Sequence, residues 1–338
     1  MTDFDHLASV ARSLVAPGKG ILAADESTGT IAKRFAGIGV ESTEAARRDY
    51  REMLFTTAGM ANHISGVILY DETLRQDGAD GTPLREVLRR QGVQPGIKVD
   101  TGAKPLPLHE GETVTEGLDG LAGRLAEYAA LGATFAKWRA VYRIDEDLPS
   151  GACVEANAHA LARYAAACQE AGLVPIVEPE VLMDGDHDLE TCELVSTDVL
   201  VAVYDALYGQ DVELEGTLLK PSMVIAGSEH RTPSTVDEVA EATLRVLRRT
   251  VPAAVPGIVF LSGGQSAELA TRHLDAMNRQ GPHPWALSFS YGRALQAPAL
   301  AAWGGQAANR AAGQAAFLKR ARCNGAARDG AWVEAMEA

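Results

Sequence analysis

The chain has 338 residues, enough for one large domain or two ordinary ones, and 46% are hydrophobic, ample for a sizeable core. A formal net charge of −14 and a pI near 5.1 argue against nucleic acid and anionic membrane as main partners. No apolar run is long enough for a membrane span. Met1 to Val15 mixes polar and apolar residues, so no signal peptide is expected. Cys153, Cys168, Cys192 and Cys323 show no C-x-x-C spacing and read as reduced cysteines of a reducing compartment.

Taken in order, the chain alternates β-type runs with helix-period segments. The runs are Gly20–Ser27, Gly66–Asp71, Gly96–Asp100, Phe135–Tyr142, Val174–Val181, Gly216–Ile225, Gly257–Gly263 and Trp285–Tyr291. Between them lie the amphipathic stretches Glu44–His63, Leu118–Gly132, Val154–Gly172, Leu189–Tyr208, Val236–Thr250 and Ala267–Gln280. Thr235 to Glu238 reads as a capping box, and Gly132 and Gly172 as helix stops. The runs are nearly continuous in apolar residues, as in a parallel sheet covered on both faces. Eight β-then-α units predict an α/β fold, a closed (β/α)₈ TIM barrel, with an open doubly wound sheet as the alternative. No linker divides the chain, so residues 1–338 read as one domain, with the barrel over about 18–296. From Ala297 the sequence reads as a helical tail beyond the barrel, loosely held at its end.

Only seven of the 31 basic residues are lysines, and Lys98, Lys137 and Lys220 sit inside strand-like runs. Arginine keeps its proton in a protein, whereas a buried lysine can lose it. A neutral amine attacks carbonyls and forms a Schiff base. Desolvation and a cationic neighbour both disfavour an ammonium, so Lys137 beside Lys220 suggests a nucleophilic amine at the centre of Gly216–Ile225. A lysine snorkelling from a strand end is the structural alternative.

Polar residues fall late in the runs: Asp25, Glu26 and Ser27; Lys98 and Asp100; Lys137 and Arg139; Glu178 and Glu180; Lys220; Ser262; Ser290 with Arg293. Strand ends are where a barrel of this kind forms its site. Glu178 and Asp25 are candidate proton carriers. The turns Ser262-Gly263-Gly264-Gln265 and Ser290-Tyr291-Gly292-Arg293 follow runs seven and eight, where backbone N–H groups at helix starts seat phosphate. Lys98 with Ser27, Thr30, Lys33 and Arg34 is positioned to hold a second anion across the mouth. A substrate with a phosphate at each end and a carbonyl near the middle fits such a site.

Six motifs then identify a family resemblance: Leu22 to Gly29, Phe135 to Arg139, Pro175 to Glu180, Leu218 to Pro221, Phe260 to Ser266 and Ser290 to Gln296. In type, length and order they resemble those of class I fructose-bisphosphate aldolase. The resemblance implies a metal-independent barrel enzyme of glycolysis and gluconeogenesis, without cofactor, usually a cytoplasmic homotetramer. Such an enzyme reversibly cleaves fructose 1,6-bisphosphate to dihydroxyacetone phosphate and glyceraldehyde 3-phosphate. It also implies roles. Lys220 matches the Schiff-base lysine, Glu178 the proton shuttle, Asp25 the acceptor of the C4 hydroxyl proton and Lys137 the orienting cation. Arg139 and Glu180 match its ion-pair neighbours. Ser262, Gly263, Ser290, Gly292 and Arg293 match the seat for the C1 phosphate, and Ser27, Thr30, Arg34 and Lys98 the region for the C6 phosphate.

One departure stands out. Animal members end in a tyrosine that assists proton transfer at C3, and this chain has no tyrosine after Tyr291. Slower C3 exchange is expected. The eight histidines are scattered, with no H-E-x-x-H, so no catalytic metal is expected. Asp184 to Asp188 lacks the glycine and glutamate of a calcium loop and reads as a solvated acidic turn. A transaldolase-like enzyme for single-phosphate sugars, and a barrel kept as a scaffold, are the competing readings.

Overall fold

The computed structural model describes residues 2–338. Eight parallel strands close on one another: β1 Gly20–Ala24, β2 Ile64–Leu69, β3 Gln94–Lys98, β4 Phe135–Tyr142, β5 Val174–Val181, β6 Leu218–Leu219, β7 Gly257–Phe260 and β8 Ala286–Tyr291. β1 pairs with both β2 and β8, which makes the sheet a barrel and removes the open-sheet alternative. Each expected run contributes one strand.

The differences have local causes. β6 is two residues long, not ten, because Pro221 brings no N–H to the ladder and Leu214–Gly216 turns as a 3₁₀ segment. β1 ends at Ala24, so Asp25 and Glu26 lie beyond it and Ser27 caps the helix Thr28–Ala36. The helix from Glu44 stops at Phe55 rather than His63, and the chain turns through Gly59 at φ 82°. A two-stranded hairpin, Ala103–Pro105 with Thr113–Thr115, was not anticipated. The capping box on Val236–Thr250 is present, and Gly132 and Gly172 take left-handed φ after their helices.

Period-two alternation sorts the strand residues into two clusters. Outward Ala136, Trp138, Ala140 and Tyr142 pack with the surrounding helices, while inward Phe135 joins Ile21, Ala23, Ile68, Val174, Ile176, Leu218 and Val259. The N-terminal helix Phe4–Leu14, absent from the sequence reading, plugs the inner cluster from below with Leu7, Ala11, Leu14 and Val15. Glycines make the room. A Cβ on Gly96 would lie 2.2 Å from the Phe135 ring, and one on Gly257 would lie 2.6 Å from Val15.

The C-terminal residues form two helices, Arg293–Trp303 and Arg310–Arg328, the second buried through Phe317, Ala321 and Cys323. Their end is held, contrary to expectation. Trp332 N–H donates to Asp275 at 3.0 Å, Arg279 donates to the Trp332 carbonyl at 2.7 Å, and the buried Arg320 pairs with Glu337.

Candidate active site

Above the apolar plug, the inward positions change character along the same strands. Phe135 is followed two and four residues on by Lys137 and Arg139, Ile176 by Glu178 and Glu180, Ala23 by Asp25, and Leu218 by Lys220. A cavity of about 740 Å³ opens at this end. It is lined by Asp25, Ser27, Thr30, Arg34, Lys98, Lys137, Arg139, Glu178, Glu180, Lys220, Ser262, Gly263, Ser290, Gly292 and Arg293, that is, by the site residues expected from sequence with the exception of Lys33. Lys33 is exposed and lies outside the lining.

Glu178 sits between two amines. Its Oε1 is 3.1 Å from Lys220 Nζ and its Oε2 is 3.1 Å from Lys137 Nζ, with all three side chains 4% exposed. Lys137 also reaches Asp25 Oδ2 at 2.7 Å. The sequence reading had the two lysines acting directly on each other; the structure places a carboxylate between them. β5 holds Lys220 in place from behind, its Val177 carbonyl accepting the Lys220 backbone N–H at 2.7 Å. Pro221, next in the chain, accepts the Leu261 N–H at 3.2 Å and so ties β6 to the loop after β7.

Burial pushes the Asp25 carboxyl up, but the Lys137 and Lys220 ammonium groups outweigh it and hold Asp25 far below the usual carboxylate range. Burial opposes the charged form of Lys137, yet Asp25 and Glu178 raise it well above an ordinary lysine. Burial likewise raises Glu178, and Lys137, Lys220 and Arg139 bring it below its ordinary value. Asp25, Glu178 and Lys137 are therefore ionised at neutral pH. The carboxylates can take a proton from a neighbouring ammonium or from a bound hydroxyl.

Around this centre the other cations differ in availability. Arg139 pairs with Glu180, Lys98 with Asp100 and Arg34 with Glu26. Arg293, exposed at the start of helix Arg293–Trp303, has no ion-pair partner among the described residues. Near it, Ser290 Oγ is buried and without a hydrogen-bond partner. Gly263 and Gly264 turn with φ of 50° and 91°, a conformation that favours glycine and presents consecutive N–H groups. A Cβ on Gly292 would lie 3.8 Å from the Arg34 guanidinium, so Arg34 stands beside this first anion seat rather than across the mouth from it. Ser27 and Thr30 share a contact of 3.1 Å between their hydroxyls.

Sequence reasoning left several lining residues without a role. Asp100 binds Lys98 and also accepts from the N–H groups of Gly102 and Arg139, at 3.1 and 3.3 Å. Its place two residues after Lys98 was the available signal. Asp184 and Ser228 line the cavity because their two loops pair, Ser228 N–H to the Met183 carbonyl at 2.7 Å and Gly227 N–H to the His187 carbonyl at 2.8 Å. Such pairing between distant loops leaves no periodic trace. Asp184, Asp186 and Asp188 lie at the surface end of these loops, with Asp188 capping the helix that follows.

Comparison with known proteins gives one answer. The family model for fructose-bisphosphate aldolase class-I matches residues 6–338. A probable fructose-bisphosphate aldolase class 1 of Xanthomonas campestris is 58% identical over 97% of this chain and 98% of its own length. Human fructose-bisphosphate aldolase B is 56% identical over 97% of this chain and 91% of its own. A fructose-bisphosphate aldolase from Plasmodium falciparum, solved in complex with TRAP and a small-molecule inhibitor, superposes with a TM-score of 0.96 at 50% identity, covering 97% of this chain and 95% of that one. With its closed barrel and matching sequence from end to end, this chain belongs to the class I fructose-bisphosphate aldolase family, whose members are metal-independent lyases.

Proposed function

We propose that the chain cleaves fructose 1,6-bisphosphate through an imine on Lys220, with the residues of the charged cavity in the following roles. The Lys220 amine adds to the C2 carbonyl. Glu178 carries protons as the carbinolamine loses water, and the protonated imine becomes an electron sink. Asp25 accepts the C4 hydroxyl proton as the C3–C4 bond breaks, and the bonding electrons move into the imine to give an enamine. Lys137, fixed between Asp25 and Glu178, keeps both carboxylates ionised and positioned. Arg139 and Glu180 brace the rim as an ion pair. Glyceraldehyde 3-phosphate leaves, C3 is protonated, and water releases dihydroxyacetone phosphate from Lys220. The observation that carries this reading is the Glu178 carboxylate held 3.1 Å from each of two buried lysines.

The phosphate seats follow the same logic. Ser262, Gly263, Ser290, Gly292 and Arg293 offer an unpaired guanidinium, an unpartnered hydroxyl and turn N–H groups for the C1 phosphate. Ser27, Thr30 and Lys98 serve the C6 phosphate, with Arg34 between the two seats. Residues after Arg293 do not line the cavity, which supports slower C3 proton exchange than in tyrosine-ended relatives. Tritium exchange at C3 of dihydroxyacetone phosphate measures it, and exchange as fast as theirs removes the point.

One domain over residues 1–338 is supported by the apolar cluster that runs from Leu22 to Trp332. A homo-oligomer, a tetramer by family likeness, is supported by Leu194, Val201 and Tyr208, an exposed apolar stripe seven residues apart on Leu189–Gly209. Four unpaired, buried cysteines support a cytoplasmic setting, and no helix among the described residues is long and apolar enough to cross a membrane.

Borohydride added with dihydroxyacetone phosphate traps the imine as a stable amine, and peptide mass mapping should place it on Lys220 alone. Activity should be unchanged by EDTA. An adduct on another lysine, or loss of activity to the chelator, would overturn the mechanism.

A further inference from the structure

We infer that Gln265 and His273 form a latch that sets the shape of the glycine turn after β7, and with it the affinity for phosphate. The inference rests on the reading of that turn as a phosphate seat. Ser262 to Ser266 has two glycines in left-handed conformation and so little stiffness of its own. One backbone hydrogen bond closes it, Gln265 N–H to the Ser262 carbonyl at 2.9 Å. The Gln265 side chain is 8% exposed and points away from the cavity. Its Oε1 lies 2.6 Å from His273 Nδ1, and its Nε2 lies 3.5 Å from the sulfur of the buried Met223.

The three partners come from three elements. His273 stands on the helix Ala267–Arg279, Met223 follows Lys220 by three residues, and Gln265 ends the turn itself. Gln265 therefore fixes the seat to the strand end that carries the amine and to the helix behind it. His273 is fully buried with Nε2 unpartnered, so its ring has one polar contact, to Gln265. Gln265 Oε1 is an acceptor, so Nδ1 carries the proton and donates it. Burial holds the imidazole neutral, with its pKa lowered to about 4, so the donor persists across the working pH range. Neither residue touches the cavity. They are positioning residues.

His273→Leu removes the donor and leaves Gln265 Oε1 buried without a partner. His273→Asn keeps it, because the asparagine Nδ2 stands where the imidazole Nδ1 stood. The test compares these variants and Gln265→Ala with the full-length wild type. The first readout is the inhibition constant of inorganic phosphate against fructose 1,6-bisphosphate. The second is borohydride trapping at Lys220 by unphosphorylated dihydroxyacetone. His273→Leu and Gln265→Ala should weaken phosphate inhibition and raise KM by about tenfold or more, with trapping by dihydroxyacetone near wild type. His273→Asn should recover most of the phosphate affinity. Unchanged phosphate inhibition in His273→Leu and Gln265→Ala overturns the latch while the seat stands. An equal loss in both readouts, without recovery in His273→Asn, reduces the pair to core packing and also overturns it. Failure of phosphate to compete in the wild type removes the seat and the latch together.

Discussion

Below the level of Glu178 the barrel holds Phe135, Val174, Ile176 and Leu218, sealed by Leu14 and Val15; above it the same strands carry Lys137, Arg139, Glu178, Glu180 and Lys220. Both halves use one inward register. The difference is the dielectric that each half creates. The lower half excludes water and closes against side chains. The upper half puts charges onto that dry floor, where interactions between charges are stronger than in water. Lys137, Glu178 and Lys220 are almost fully buried, yet each has a partner of opposite charge within 3.1 Å. Stability belongs to the lower half and chemistry to the upper, so a substitution in one should leave the other's property almost untouched.

The largest break should come at Lys220. Arginine keeps the charge beside Glu178 and cannot act as the proposed nucleophile. Lys220→Arg should lower kcat by about 10⁴-fold or more with melting temperature little changed. Residual cleavage near wild type would move the nucleophile elsewhere. The mirror experiment is Phe135→Ala, below the charges. It empties the space that Gly96 leaves open and should cost about 3–5 kcal/mol of unfolding free energy, with kcat of the folded fraction within about a factor of a few. A catalytic collapse greater than the loss of folded protein would show that floor and mouth are not separable. Glu178→Gln, at the boundary, should slow imine formation about a hundredfold and leave two ammonium groups facing a neutral amide. Single-turnover trapping with borohydride reads that step directly.

How much of this was legible in the chain follows from the same contrast. Eight apolar runs, most with polar or charged residues late in them, gave the barrel and its rim, because period-two alternation and strand order are local properties. The N-terminal plug was missed because Phe4–Leu14 is short, and its apolar face has meaning only against a barrel floor assembled from distant strands. The place of Glu178 between Lys137 and Lys220 was missed for a related reason. β4, β5 and β6 bring these side chains together across the barrel, and strand tilt decides which ones meet. Arg139 is in register with Glu178 yet pairs with Glu180. The Gln265–His273 contact spans one loop and two turns of helix, and nothing in its spacing marks it.

The smallest effect concerns pH, and its sign separates the two regions again. Asp25 and Glu178 have folded pKa values below their ordinary ones, so their contribution is present above about 4.5 and is lost as pH falls through the lower folded values. Lys137 is raised, so its contribution is complete below 10.5 and is lost as pH climbs past that into its folded range. These three groups therefore leave stability flat from about pH 5 to 10. His273 lies outside the mouth and acts at the acid edge of that interval. Its folded pKa falls from 6.5 to about 4, so between those values the unfolded chain takes up a proton that the folded chain refuses. Each pH unit crossed in that window costs about 1.4 kcal/mol, so stability should fall by about 3 kcal/mol from one end to the other. His273→Asn does not titrate there. Its melting temperature, followed from pH 7 to 4, should decline less than that of the wild type. Parallel curves would place the acid sensitivity in the carboxylates of the mouth and contradict the burial assigned to His273.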